Sequence, residues 1–297
     1  AWQIVWDIRL PRTAGAWVTG ALLGLAGAVA QGLFRNPLAD PYLLGSGSGA
    51  SLGTALALLL AGQRKAVAMA GSWWLQLGIT GAAFVGAVLA VMLTLTLARG
   101  AQHTLRLLLG GVIVGVVLGA AKDLITVAAP SILESMQGFT LGSTSFLGWQ
   151  AVGLMAGTLV LCLAAAWLLA PVLDGLTLGE STAASLGLAL PGLRAALVAV
   201  LALATATAVA HAGLIAFVGL AAPHLVRPLV RSTHGALLLL SAAMGGALLM
   251  VADLLARWLL APQELPVGVL TALIGGGYLL WLMHRRGLMG AGNGGAR

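Results

Sequence analysis

Residues 9–51 read RLPRTAGAWVTGALLGLAGAVAQGLFRNPLADPYLLGSGSGAS, and this stretch decides the fold. Its apolar part, from Thr13 to Phe34, follows two arginines and ends at an Arg-Asn-Pro sequence. A helix needs roughly 20 apolar residues to cross the hydrocarbon core of a bilayer, and this run is long enough. The sequence therefore predicts a transmembrane helix, followed by a turn and a glycine-serine segment that breaks the next helix.

The composition of the whole chain predicts an integral membrane protein. Apolar residues make up 60%, charged residues 8%, and the mean hydropathy is +1.03. A soluble domain carries about 25% charged residues, enough to cover a surface that faces water. The net charge of +7 does not indicate nucleic-acid binding, because there is no basic run; arginines in loops next to anionic lipid account for it. The single cysteine, Cys162, excludes an intrachain disulfide and a cysteine metal cluster.

The predicted fold is an all-α, polytopic bundle that forms one membrane domain over residues 1–297. Glycine and alanine fill its apolar stretches at spacings such as Gly20-Gly24, which let helices approach closely in lipid. About nine stretches have membrane length, at 13–34, 43–61, 70–98, 105–128, 146–171, 193–211, 213–230, 236–260 and 266–284.

The distribution of lysine and arginine predicts the orientation in the membrane, since cytoplasmic loops carry an excess of both. With the C-terminal arginines in the cytoplasm, nine of the 15 basic residues fall inside and five outside, while Lys122 lies within a segment. Three of the outer charges, Arg9, Arg12 and Arg257, run against the rule and call for a functional reason.

The connection LGESTAASLG at 178–187 predicts a short cytoplasmic helix. Glu180 stands at its start, where a carboxylate interacts favourably with the helix dipole, and Gly187 ends it. Such a helix in a membrane loop is equally often a solvated turn.

Two further pairs of charges lie in apolar segments. Asp253 and Arg257 are four residues apart on one helical face and are predicted to pair. Lys122 and Asp123 lie deep in 105–128, where each charge costs about 2.5–3.5 kcal/mol on insertion scales unless it faces a cavity, a partner or the interface.

These motifs, in this order, resemble the permease family of bacterial ABC importers for ferric siderophores, heme and cobalamin. The resemblance covers the whole chain and rests on six motifs: RLPR, RNPLADP, GSGSGAS, the LGE connection, GLIAFVGLAAPHLVR and ADLLAR followed by ELPVG. It implies ten helices per subunit, so that a first helix is expected before Ala1. It also implies a dimer of two permeases, expected to be a homodimer, with a central pathway.

The resemblance further implies partners and site residues. A periplasmic binding protein would dock on Arg9, Arg12 and Arg257, and two ATPase subunits would bind ATP and Mg²⁺, leaving this chain without cofactor, metal or catalytic residues. Six residues would couple to the ATPase: Leu178, Gly179, Glu180, Ala183, Leu186 and Gly187. Four would line the translocation pathway: Gly115, Gly119, Lys122 and Asp123. The charged pair departs from the family pattern and would tune substrate choice.

The expected function is ATP-driven import of a bulky iron chelate, heme or ferric siderophore, with cobalamin as the alternative. An ion-coupled secondary transporter is the alternative from another class, although Asp123 is its one candidate acidic residue at mid-membrane. Gly45 to Gly49 lack the Gly-Lys-Ser/Thr of a P-loop. A membrane hydrolase would have only Ser48 and His211 as a candidate pair, and their spacing does not support it.

Overall fold

The computed structural model describes residues 2–61, 73–98, 104–185, 187–230 and 233–292. Within these ranges all regular structure is helical. The helices are α1 Trp2–Phe34, with a π-helical turn at Val5–Arg9, α2 Ser46–Ala61, α3 Trp73–Leu97, α4 Thr104–Ala128, α5 Leu133–Leu141, α6 Trp149–Leu168, α7 Ala170–Thr177, α8 Glu180–Ser185, α9 Leu190–Ala212, α10 Val218–Val226, α11 His234–Trp258 and α12 Val267–Gly292. Short 3₁₀ turns lie at Pro41–Leu44 and Pro130–Ile132.

Helix α1 is the central helix of the bundle. Of the residues in its most apolar stretch, 94% are buried in the chain, against α6, α9, α10 and α11. Glycines allow this packing: a Cβ placed on Gly20 would lie 2.2 Å from the carbonyl oxygen of Gly245, and one on Gly24 would lie 2.2 Å from that of Ser241. The close approach expected from the Gly20-Gly24 spacing is therefore a contact between α1 and α11.

The long apolar stretches of the sequence become helices, but not all of these helices have membrane length in the part of the chain that the structure describes. Among the described residues, six helices are long and apolar enough to cross a membrane, and α2 and α12 contain shorter apolar segments. The stretch 213–230, which has membrane length in the sequence, holds only the nine-residue helix α10.

A segment without helical structure between Gly213 and Phe217 explains why α10 is short. Gly213 and Phe217 both have positive φ, at 71° and 68°, so the chain leaves the helical conformation at both ends of this segment. Its backbone groups still find partners. The N–H of Leu214 donates to the carbonyl of Phe139 at 3.0 Å, and the Tyr42 hydroxyl contacts both the N–H and the carbonyl of Ile215, at 3.3 and 3.1 Å. Backbone without a helix is stable at membrane depth only when it is satisfied in this way.

Helix α1 also sets the distance between the two polar ends of the molecule. Arg12 follows the π-helical turn of α1 and Arg35 comes directly after its last residue, and a rise of 1.5 Å per residue puts them about 35 Å apart, close to the roughly 30 Å of a hydrocarbon core. Each arginine belongs to a cluster of charged side chains.

Helix α4 has the opposite character from α1. Only 17% of the residues in its most apolar stretch are buried within the chain, and Val112, Val116 and Val117 are exposed. A helix with this much bare apolar surface needs lipid or another protein against it.

Candidate functional site

The outer charged cluster is organised around Asp253, whose side chain is only 1% exposed. Its carboxylate accepts hydrogen bonds from Arg12 Nε and Nη2, at 3.3 and 3.2 Å, from Arg257 and from the hydroxyl of Thr144. The pairing of Asp253 with Arg257 expected from their spacing is confirmed. Arg12, 241 positions away in the sequence, is the partner that the spacing does not indicate.

The same cluster contains Glu264, which lies in the turn between α11 and α12. Arg12 Nη1 is 2.8 Å from Glu264 Oε2, and Ser145 Oγ donates to the same carboxylate oxygen at 3.3 Å. The positive charges of two arginines therefore balance the negative charges of two carboxylates. The cluster connects the N-terminal part of α1 with the loop 143–147, the end of α11 and the turn before α12.

This geometry bears on the predicted docking residues. Arg9 is exposed, whereas Arg12 and Arg257 are largely covered, with side chains 12% and 22% exposed, and their guanidinium groups hold carboxylates of their own chain. The outer surface is therefore less basic than three free arginines would make it. Contact of these residues with a binding protein stays a prediction.

The cytoplasmic connection forms the short helix expected from the sequence. Helix α8 begins at Glu180, and the flanking Gly179 and Gly187 have φ of 103° and 83°, which glycine adopts without strain. Ala183 is completely buried, and a Cβ on Gly175 of α7 would lie 3.8 Å from its methyl group. Ala183 thus packs the helix onto its own chain, while Ser181, Thr182, Ala184 and Ser185 are exposed.

Ion pairs attach this helix to two membrane helices. Glu180 Oε1 lies 2.6 Å from Arg194 Nη2 in the first turns of α9 and 3.6 Å from Arg35 Nη2 at the end of α1. Leu178 is exposed just before the helix. Leu186, which completes the predicted coupling residues, lies outside the described residues.

The predicted pathway face of α4 meets the turn between α1 and α2. A Cβ on Gly111 would lie 2.0 Å from the carbonyl oxygen of Leu43, which is tight packing, but one on Gly115 or Gly119 would lie 3.7 or 3.9 Å from Ser48 Oγ. Gly115 borders a cavity of about 560 Å³ that Asp40, Tyr42 and Ser48 also line. Small residues on this face therefore serve packing at one end and leave space further along.

Lys122 and Asp123 pair with each other near the outer part of α4. The Lys122 side chain is largely covered, at 22% exposed, whereas that of Asp123 is 69% exposed, so the pair lies at the edge of the bundle. Each charge thereby has the partner that its position in an apolar helix requires. Their place on a translocation pathway stays a prediction.

Some polar contacts were not foreseen from the sequence. Asp174 of α7 accepts hydrogen bonds from the backbone N–H of His234, at 3.0 Å, and from its ring, at 2.6 Å, and so caps the start of α11. Gln31, buried in α1, donates to the carbonyl of Leu220 and accepts from Arg227, both at 3.2 Å. Each pair joins residues far apart in the chain, which no spacing rule reveals.

The described residues form neither the expected ligand group of a metal site nor a paired Ser48 and His211 of a hydrolase site. Within them no group of three or more His, Cys, Asp or Glu side chains has the arrangement of a metal site. The Nδ1 of His211 contacts the carbonyl of Thr207 in its own helix at 2.9 Å, while Ser48 faces α4.

Comparison with known proteins assigns the family. The model of the FecCD transport family matches residues 1–285. The chain belongs to this family. It is 39% identical over 291 residues to the hemin transport system permease protein HmuU of Yersinia pestis, covering 96% of this chain and 84% of that protein. It is 38% identical over 286 residues to the vitamin B12 import system permease protein BtuC of Escherichia coli O157:H7, covering 95% of this chain and 84% of that protein.

Solved structures agree with the fold. A metal-chelate type ABC transporter in an inward-facing conformation matches with a TM-score of 0.85 and 29% identity, covering 96% of this chain and 88% of that one. PsaBC from Streptococcus pneumoniae matches with a TM-score of 0.61 and 19% identity, over 90% of this chain and 88% of that one, which shows the shared fold alone.

Family membership decides between the classes left open by the sequence. This member of the FecCD family is a membrane-spanning permease of an ABC importer, and ATP hydrolysis resides in separate subunits. Partner ATPase and binding-protein subunits follow from that class, and the ion-coupled transporter and the hydrolase do not fit it.

Proposed function

We propose that this permease imports a bulky iron chelate, heme or ferric siderophore, from the periplasm to the cytoplasm across the bacterial inner membrane. The observation that carries the proposal is the 39% identity to a hemin permease over 96% of the chain. The glycine face of α4 and the cavity beside Gly115 provide room for a large planar or globular cargo.

Cobalamin is the second candidate, since the identity to a vitamin B12 permease is only one percentage point lower over nearly the same length. Lys122 favours the first candidate, because its ammonium group would attract the propionates of heme or the carboxylates of an acidic siderophore. Cobalamin offers no comparable anionic groups apart from its phosphate.

Uptake measurements separate the candidates. The permease, expressed with the ATPase and the binding protein encoded in the same genome, is assayed in a strain lacking its own importers with radiolabelled hemin, ferric siderophore and cobalamin. We expect uptake of hemin or the siderophore, and no uptake with an ATPase subunit that cannot hydrolyse ATP. Uptake of cobalamin alone would overturn the assignment of the cargo.

The second copy of the permease is proposed to lie against α4. Support comes from the bare apolar surface of this helix, with Val116 67% exposed within the chain. Two-fold symmetry brings the same residue of both copies together near the axis. Val116→Cys should form a disulfide-linked dimer on mild oxidation, whereas the control Leu161→Cys on α6, also exposed, should not. The native Cys162 is buried and adds little background. A dimer linked through position 161 and not 116 would move the interface away from α4.

The outer cluster and Arg9 are proposed to receive the periplasmic binding protein. Arg9 gives the sharpest test, because it is exposed, while reversing Arg12 would also bury a new carboxylate beside Asp253. Arg9→Glu should weaken capture of the binding protein at low salt and leave the permease folded, since exposed pairs act mainly on encounter. Unchanged affinity at low salt would remove Arg9 from the docking surface.

A further inference from the structure

Glu264 and Asp253 hold the same arginine from two different environments. Asp253 is 1% exposed and contacts the Nε and Nη2 edge of Arg12, whereas Glu264 is 44% exposed and contacts Nη1. A planar guanidinium offers separate edges to separate acceptors. Arg12 is therefore oriented by a buried carboxylate and covered by an exposed one.

The two carboxylates differ in the free energy that it costs to break their contact with Arg12. Asp253 would abandon two arginines and the Thr144 hydroxyl inside the protein, and removing one partner of a buried ion pair is strongly unfavourable. Glu264 has water beside it, and an exposed ion pair has a small net free energy. Only Glu264 can exchange its place on Arg12 for water or for another carboxylate at little cost.

The fold does not depend on the carboxylate of Glu264 for its turn. The turn lies between Pro262 and Pro266, and the backbone N–H of Leu265 donates to the carbonyl of Ala256 at 3.0 Å. The side chain instead reaches across to Arg12 and to Ser145 Oγ, which belong to α1 and to the loop 143–147. The Glu264 carboxylate thus takes up the hydrogen-bonding capacity of Arg12 Nη1.

We propose that Glu264 is an internal substitute for a carboxylate of the binding protein. It covers the exposed edge of Arg12 in the undocked permease and is displaced when an acidic side chain of the binding protein arrives. This inference rests on the proposed docking function of the outer cluster. Because docking exchanges one exposed ion pair for another, Glu264 lowers the affinity for the binding protein and eases its release after delivery.

The proposal is tested with the permease in lipid nanodiscs and the binding protein encoded with it, by measuring association and dissociation at low and high salt. Glu264→Gln keeps the shape and removes the competing charge, so the affinity should rise by up to about fivefold at low salt, mostly through faster association. The gain should shrink at high salt, because salt screens exposed charges. The control Glu134→Gln removes an exposed carboxylate of α5 and should change the affinity little.

The outcomes separate this inference from the docking function itself. If Arg9→Glu weakens capture but Glu264→Gln leaves the affinity unchanged or lowers it, the docking surface stands and the substitute role of Glu264 is overturned. An equal gain in Glu134→Gln would also overturn it, because the effect would then be one of general surface charge. If neither Arg9→Glu nor Glu264→Gln changes binding, the docking surface itself is lost.

Discussion

Arg194 Nη2 lies 2.6 Å from Glu180 Oε1, which joins the short cytoplasmic helix α8 to the membrane helix α9. The side chain of Arg194 is only 4% exposed, while that of Glu180 is 41% exposed. Arg35, at the end of the central helix α1, approaches the same carboxylate oxygen at 3.6 Å. We therefore expect a movement of α8, if an ATPase imposes one, to pass to α1 and α9 through this carboxylate.

Loss of the Glu180 carboxylate should uncouple substrate uptake from ATP hydrolysis. Glu180→Gln removes the charge that Arg194 faces, and hydrogen bonds to charged groups contribute about 1.5–3 kcal/mol. We expect the assembled transporter to keep its ATPase activity and lose most of its uptake, measured together in proteoliposomes. Arg35→Gln is the matched control, because its longer and exposed contact should contribute no more than about 1 kcal/mol. Normal uptake per ATP hydrolysed in Glu180→Gln would refute the link.

The exposed face of α8 should be the part that touches the ATPase. Ala184 is exposed and Ala183 buried, although they are neighbours of the same type. Ala184→Arg should leave the isolated permease as stable as the wild type and abolish co-purification of the ATPase, because the new charge meets the docking surface. Ala183→Arg should lower the stability of the isolated permease as well. Retained ATPase binding by Ala184→Arg would place the contact elsewhere.

The contact between α1 and α11 should tolerate no side chain at Gly24. A Cβ there would lie 2.2 Å from the carbonyl of Ser241, so Gly24→Val should cost at least about 1–3 kcal/mol, as overpacking of a tight core does. Cys162 is the single cysteine and is buried, so its reaction with a fluorogenic maleimide on heating reports unfolding. Gly153→Val on α6 is the control, since nothing lies within 4 Å of its Cβ position. Equal melting temperatures for the two variants would contradict the close packing.

The sequence predicted the helices well where local patterns decide them. Apolar length predicted the long helices, and Glu180 and Gly187 predicted where α8 begins and ends, because helix ends depend on nearby residues. The pairing of Asp253 with Arg257 was also predictable from their spacing of four.

The sequence could not show which surface each helix buries. In a membrane protein apolar residues face both lipid and the core, so periodicity does not distinguish the buried α1 from the bare α4. The ties of Arg12 to Asp253 and Glu264 depend on contacts between residues more than 240 positions apart, and the break after Gly213 depends on the Tyr42 hydroxyl that satisfies it.

Asp40 should make the stability of the permease depend on pH. It lies between α1 and α2, where burial raises its pKa from 3.8 to about 6 and the N–H of Tyr42, 2.8 Å away, opposes the shift. Between these two values the unfolded chain ionises before the folded protein, so the stability contributed by this group falls as the pH rises through the window and stays low above it.

Asp40→Asn should remove this dependence, since an asparagine still accepts the hydrogen bond of Tyr42 and carries no charge. Circular-dichroism melting curves should coincide for variant and wild type near pH 4 and separate by pH 7, with the variant more stable. A constant difference across the range would show that ionisation of Asp40 is not the cause.

The face of α4 beyond Gly115 should be reached by water during transport. The space at Gly119, where a Cβ would lie 3.9 Å from Ser48 Oγ, and the ion pair of Lys122 with Asp123 both suit a hydrated wall better than lipid. Cysteines at Gly119 and Lys122 should react with a polar, membrane-impermeant thiol reagent, and their rates should change when substrate is delivered or ATP is hydrolysed, because the route opens and closes around them. Val114→Cys is the matched control on the same helix, since Val114 is only 2% exposed, and it should stay protected. If positions 119 and 122 are protected in every state and Lys122→Leu imports the substrate normally, this face lies against lipid or protein and the pathway runs elsewhere.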